Sequence, residues 1–236
     1  MRAHSLAGPG AIPAPFFCTL GAVLRTPVLD VFRPAMRGIA RAWFRLELRG
    51  VANIPREGGL IITPNHQTYA DPPLVSIPVR RRVYYMAWDK LFGVPVLGQL
   101  IRVLRAFPVD IYSNNPGAVR EAQRLVQEGA AVMIFPEGGR SFDGTLGHFK
   151  LGAFRLAVKL DAPVLPVTIS GGFEAWPPQR ALPRRGRMII TYHPPLRAEP
   201  GVEPRAAARD LAQRARAAIA SAFPDERGQA PRSSTR

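Results

Sequence analysis

The chain has 236 residues, 47% of them hydrophobic, with 32 basic and 17 acidic side chains and a formal charge of +15. That composition supplies a sizeable core and excludes global disorder. A single cysteine, Cys18, excludes an intrachain disulfide. Lysine occurs only at 90, 150 and 159, so arginine carries nearly all the positive charge. The imbalance favours anionic partners: lipid headgroups, phosphorylated substrates or nucleic acid.

Taken in order, the chain opens on an apolar leader, IPAPFFCTLGAVL (12–24), broken by prolines and too short to span a bilayer. Cys18 lies there without an adjacent base and reads as a small buried or lipid-facing residue. Residues 25–50 then carry Arg33, Arg37, Arg41, Arg45 and Arg49 at intervals of four, with Met36, Ile39, Trp43, Phe44 and Leu48 between them. The spacing predicts an amphipathic helix suited to a membrane interface, or one lying on the protein's own core with its arginines in water.

Beyond residue 50, apolar runs alternate with helical patterns. GLIIT (59–63), VYYMA (83–87), AAVMIF (130–135), VLPVTI (164–169) and RMIITYH (187–193) read as strands. Residues 91–104, 115–129 and 151–161 read as helices, the second capped by Asn115 before Pro116 and stopped at Gly129. WPPQRALPRRGR (176–187) is a Pro/Arg loop and HPPLRAEPG (193–201) a second break. An Ala/Arg-rich helix is expected from Val202 to about Phe223, followed by a polar, disordered tail. Together these predict an α/β fold: a mixed, largely parallel sheet covered by helices, with the amphipathic membrane-associated segment at its N-terminus. The expected divisions are residues 1–50, a membrane-associating segment; 51–200, a catalytic domain; and 201–236, a C-terminal helix and tail.

Two stretches carry chemistry. TPNHQTYADPP (63–73) places His66 and Asp71 five residues apart at the end of a predicted strand. Five residues turn about 500° along a helix, leaving the two side chains ~140° apart, so a regular helical face cannot pair them. A bent loop can, if His66 lies in the loop and Asp71 caps or begins the next helix, which Pro72 and Pro73 favour. Histidine takes and returns a proton near neutral pH, and a carboxylate on its other ring nitrogen fixes the tautomer and stabilises the cation. The bland alternative is a helix cap beside a satisfied polar histidine.

The second stretch, IFPEGGRSFDGTLGHFKLGAFRLA (134–157), begins at the end of the most apolar strand. Ligands of α/β folds bind beyond the carboxyl ends of strands. Gly138 and Gly139 permit close backbone approach, and Arg140 offers a planar charged fork suited to phosphate. Glu137, Asp143 and Lys150 crowd the same loop.

NHQTYAD resembles the His-four-residues-Asp motif of the glycerolipid acyltransferase family, which includes the 1-acylglycerol-3-phosphate O-acyltransferases. FPEGGRS resembles that family's Phe-Pro-Glu-Gly-Thr-Arg-Ser motif, FKLGA (149–153) the lysine-containing segment after it, and APVLPVTISG (162–171) the last motif, centred on Val-Pro. The four occur in the family's order across residues 50–172. Three departures touch the acceptor side. Gly139 replaces a usual threonine, Lys90 is displaced by two from a lysine position now held by Trp88, and AFPVDI ends in Ile111 rather than arginine. Arg102, Arg105 or Lys90 are the compensating cations.

The resemblance implies direct acyl transfer from acyl-CoA or acyl carrier protein to the hydroxyl of a lysophospholipid, with lysophosphatidate the leading acceptor and another lysolipid or an amino-acid-linked lipid the alternative. His66 is then the general base and Asp71 its orienting partner. Glu137, Gly138, Gly139, Arg140, Ser141 and Lys150 shape the acceptor site, and a backbone N–H near Gly138 or Gly139 assists the oxyanion. No cofactor beyond the acyl thioester and no metal is implied; none of His4, His66, His148 and His193 forms a pair with zinc spacing. The soluble donor implies the cytoplasmic face of a membrane, in a peripheral or monotopic arrangement. The reading from another class is a basic nucleic-acid-binding protein, but the sequence holds no helix-turn-helix, zinc finger or aromatic-rich RNA motif, so nucleic acid is not an expected partner.

Overall fold

A computed structural model of the chain describes residues 27–110 and 116–223. The leader with Cys18 and His4, the expected cap Asn115, Ile111 and the C-terminal tail lie outside the described residues.

In chain order the elements are α1 (Pro27–Phe44), β1 (Glu47–Arg49), β2 (Leu60–Pro64), α2 (Asp71–Ser76), β3 (Val83–Trp88), α3 (Leu97–Val103), β4 (Ala106–Val109), α4 (Pro116–Gln127), β5 (Ala131–Met133), α5 (Gly152–Leu160), β6 (Val164–Ser170), α6 (Gly172–Ala175), β7 (Ile189–Tyr192) and α7 (Pro204–Ser221). The strands form one sheet in the order β1-β7-β6-β2-β5-β3-β4. Every pairing is parallel except β6 with β7. This is the expected mixed, largely parallel α/β sheet.

The central strands are buried on both faces because helices cover both. Period-two alternation divides their side chains between two cores. Leu60, Ile62, Ala131, Met133, Leu165 and Val167 point to one core, shared with Ala40 and Phe44 of α1 and Leu74 and Val75 of α2. Ile61, Val132 and Val164 point to the other, packed by Leu125 of α4, Phe154 of α5 and Leu211 of α7.

Three boundaries differ from the sequence reading. The basic N-terminal helix ends at Phe44; Arg45 turns into left-handed backbone (φ 43°) and Glu47–Arg49 becomes an edge strand on β7. Arg45 and Arg49 therefore leave the helical arginine series. Residues 91–104 do not form one helix. A 3-10 turn covers Asp89–Gly93, and α3 starts only at Leu97. Pro95 disfavours helical backbone at Val94 and supplies no N–H, and Val96 takes φ 64°. Finally, AFPV forms β4 on the opposite edge of the sheet.

Met36, Ala40 and Phe44 seat α1 on the core, whereas Val31, Phe32, Ile39 and Trp43 of the same helix are exposed. Among the described residues, no helix is long and apolar enough to cross a membrane.

Candidate active site

β2, β5 and β6 are neighbours in the sheet and run in the same direction, so their carboxyl ends open at one edge. The loop after β2 carries His66, the loop after β5 carries Glu137 to Lys150, and the turn after β6 carries Gly171 and Gly172. The sheet order thus brings residues far apart in sequence to one place.

His66 Nδ1 lies 2.8 Å from Asp71 Oδ2. Asp71 is fully buried, whereas the His66 side chain keeps 18% of its surface accessible. The pairing takes the bent geometry the spacing requires. Asp71 begins α2 but does not cap it: its Oδ2 also accepts the backbone N–H groups of Gln67 (2.6 Å) and Thr68 (2.8 Å), and its Oδ1 accepts the Thr68 hydroxyl (2.6 Å). The carboxylate therefore folds the chain around itself while facing the imidazole. With Nδ1 turned to a carboxylate, Nδ1 carries the proton and Nε2 is left as the basic nitrogen. Phe135 stacks on the imidazole at 3.9 Å between ring centroids, fixing the ring's plane.

The loop after β5 grips His66 through the backbone. Glu137 Oε1 accepts the His66 N–H (2.8 Å) and Oε2 accepts the N–H of Gly147 (2.9 Å). Ser141 N–H donates to the His66 carbonyl (2.8 Å). Both Glu137 oxygens thus hold this chain's own backbone. Burial pushes its carboxyl above the ordinary 4.5, opposed by those two N–H bonds. Ser141 acts through its N–H here; its hydroxyl donates to Asp143 (3.0 Å).

Gly138 sits at φ 74°, backbone a side chain would strain, and its N–H donates to the Phe135 carbonyl (3.1 Å). The Lys150 ammonium lies against it, so close that a Cβ would come within 2.5 Å of Nζ. Gly139 is exposed, with open space around it. Arg140 stacks its guanidinium on the Tyr69 ring at 3.6 Å, and Trp176 meets Tyr69 edge-on with ring centroids 6.1 Å apart. Among the described residues the buried Arg140 Nη1 has no hydrogen-bond partner, leaving a donor for an anion.

Of the sequence-predicted site residues, His66 lies in the loop after β2, Asp71 at the start of α2, and Glu137, Gly138, Gly139, Arg140, Ser141 and Lys150 in the loop after β5. The expected compensating cations lie on other elements, Lys90 over the Trp88 ring, Arg102 over Phe92 and Arg105 over Tyr84. Three further contributors carry no signal of their own in the sequence. Gln67, buried, accepts the N–H groups of Gly172 (3.0 Å) and Phe173 (3.2 Å) on Oε1 and donates to the Gly144 carbonyl (3.4 Å), joining all three loops. Phe135 and Tyr69 supply the two ring contacts. The only sequence signal was their position inside or beside the two motifs. His148 is exposed, and His193 Nε2 meets Thr168 Oγ1 at 2.8 Å.

The same chain can be placed among known proteins. The acyltransferase family model matches residues 45–170. A 1-acyl-sn-glycerol-3-phosphate acyltransferase of Pseudomonas aeruginosa is 31% identical over 188 residues, covering 75% of this chain and 68% of its own. A chloroplastic 1-acyl-sn-glycerol-3-phosphate acyltransferase of Brassica napus is 27% identical over 170 residues, 67% of this chain. The chain spans about half the length of several of these relatives, 49% in the Brassica case. The crystal structure of the 1-acyl-sn-glycerophosphate acyltransferase PlsC from Thermotoga maritima superimposes with a TM-score of 0.68 at 26% identity, covering 83% of this chain and 80% of that one.

Proposed function

Because the chain belongs to the acyltransferase family, we propose that it is an O-acyltransferase moving a fatty acyl group from an acyl thioester to a lysophospholipid hydroxyl. The preferred acceptor is 1-acyl-sn-glycerol-3-phosphate, with phosphatidic acid the product. The names of the Pseudomonas, Brassica and Thermotoga relatives support that acceptor. The donor is acyl-CoA or acyl carrier protein.

The observation that carries this reading is the 2.8 Å contact from His66 Nδ1 to a fully buried Asp71. His66 Nε2 takes the proton of the acceptor hydroxyl as its oxygen attacks the thioester carbonyl. The C–O bond forms, the C–S bond breaks, and the imidazolium returns the proton to the departing thiolate. Asp71 stabilises the imidazolium between those steps. Arg140, held on Tyr69, offers Nη1 to the acceptor's phosphate. Lys150, packed against Gly138, adds positive charge. Glu137 and Ser141 hold the His66 backbone at the correct height.

Residues 51–200 carry this chemistry. Residues 1–50 hold the enzyme on the cytoplasmic face of a membrane, in a peripheral or monotopic arrangement. Support comes from Arg37 and Arg41 on a helix that also exposes Phe32, Ile39 and Trp43. The test is thiol release from acyl-CoA and from acyl carrier protein across a panel of lysolipids. Release is expected with lysophosphatidate and is lost in a folded His66→Ala variant. Undiminished turnover in that variant would remove the proposed base.

A further inference from the structure

The Pro/Arg stretch 176–187 carries none of the residues assigned to acyl transfer above, yet the fold builds it as a fixed arm. Trp176 Nε1 donates to the Arg180 carbonyl (3.0 Å), and Arg184 N–H donates to the Ala175 carbonyl (2.7 Å). The arm is tied at both flanks. Gln179 Nε2 donates to the carbonyl of Phe142, in the loop after β5 (3.2 Å). At the other flank Gly186 N–H donates to the Trp43 carbonyl of α1 (3.3 Å), and the Arg185 guanidinium lies over the Trp43 ring at 5.3 Å.

Two large apolar side chains stand in water on this surface: Phe142 is 74% exposed and Leu182 76%. Arg184 and Arg185, shortly after Leu182 in the chain, are exposed, and residues 176–187 include four arginines and no acid. Arg187 is paired with Glu47 at 2.9 Å, and Glu174 is the exposed acid just before the arm.

We propose that residues 176–187, with Phe142, form a docking surface for an anionic lipid bilayer, seating the enzyme with its acceptor site against the membrane. This rests on the lysolipid-acceptor reading above. Isolated apolar tips on two separate loops, flanked by guanidinium groups, match a headgroup layer: the tips enter the acyl boundary while the arginines stay at phosphate level. Through Arg185 and Trp43 the surface is continuous with the exposed Phe32 and Ile39 side of α1. Its inner end is Trp176, which packs on Tyr69 and through it on Arg140. One face thus runs from the bilayer contact to the anion-binding guanidinium.

The experiment is flotation of the full chain with vesicles of phosphatidylcholine, with and without phosphatidylglycerol. Leu182→Ser combined with Arg184→Ser, and Phe142→Ser separately, are compared with the parent at equal melting temperature. Partition onto the anionic vesicles is expected to fall at least roughly fivefold in the double variant, the share due to one surface arginine alone. Turnover of lysophosphatidate dispersed in those vesicles falls in parallel, and turnover of a water-soluble short-chain lysophosphatidate is unchanged. Equal partition of parent and variants would overturn the proposal. So would intact vesicle binding with loss of turnover only from acyl carrier protein, which would make the arm a protein-docking surface. A parent chain that floats with the vesicles in an arm-dependent way but acylates no lysolipid would sink the enzymatic reading and leave the bilayer contact standing.

Discussion

Asp71 Oδ2 accepts the His66 imidazole and two backbone N–H groups at once, all within 2.8 Å. One oxygen both builds the loop and orients the base, so substitutions at Asp71 separate folding from chemistry. Asp71→Asn keeps the shape, its amide oxygen taking the three bonds of Oδ2, but loses the charge that stabilises the imidazolium. Its kcat is expected to fall on the order of 10³- to 10⁴-fold with little change in KM. Asp71→Ala strands the Gln67 and Thr68 donors in a buried setting, adding about 1–3 kcal/mol of instability per orphaned group. Steady-state kinetics and denaturant melts on the two variants check the distinction.

Tyr69 sets the plane of Arg140. Tyr69→Phe keeps the ring face and is expected to behave as the parent. Tyr69→Ala frees the guanidinium and raises the KM for a phosphate-bearing acceptor roughly two- to fivefold, the share of an accessible cation–π contact. The KM for the thioester should not move. A shift confined to the donor would place Arg140 on the wrong substrate.

Gly172 has no room for a methyl group. A Cβ there would lie 2.7 Å from Gln67 Oε1 and 3.2 Å from Thr68 Cγ2. Gly172→Ala should therefore push Gln67 off the turn after β6 and lower kcat by misplacing His66. Gln67→Ala should reproduce the defect. Normal activity in both would show that the three-loop junction does not position the base.

His193 gives a pH signature remote from the site. Thr168 donates its hydroxyl to the Ile219 carbonyl (2.9 Å), so His193 Nε2 is the donor in their contact. Burial lowers its pKa from the ordinary 6.5. The folded state therefore binds this proton less readily than the unfolded chain, and stability contributed by the neutral ring is complete above 6.5. It is lost as pH falls from there through the depressed folded value. His193→Gln should flatten that part of the stability curve, measured by urea unfolding between pH 7.5 and 5.5. An unchanged slope would show that another group carries it.

The five central strands and the His66–Asp71 pairing are legible in the sequence because both have local signatures: apolar runs bounded by turns, and a motif beside a strand end. The two strands without such a signature are the edges. β1 is three residues with charge at both ends, and β4 contains Pro108, tolerated because an edge strand need not donate on its outer side. Neither carries enough apolar pattern to stand out. At the site, Glu137 was legible as a loop acid, but its grip on the His66 N–H was not. That bond spans 71 residues and exists only because β2 and β5 are neighbours. Tyr69 and Gln67 were hidden for the same reason: their partners come from loops after other strands.

The strand order has a consequence for how the molecule is made. β2 lies between β6 and β5, both of which leave the ribosome after it. Until Ser170 has been synthesised, LIITP lacks one neighbour, and before Met133 it lacks both. At ~5–20 residues per second, that leaves a segment buried throughout in the folded chain waiting roughly 5–20 s for its second flanking partner. Nascent chains stalled between these points are therefore the species most in need of a holding chaperone.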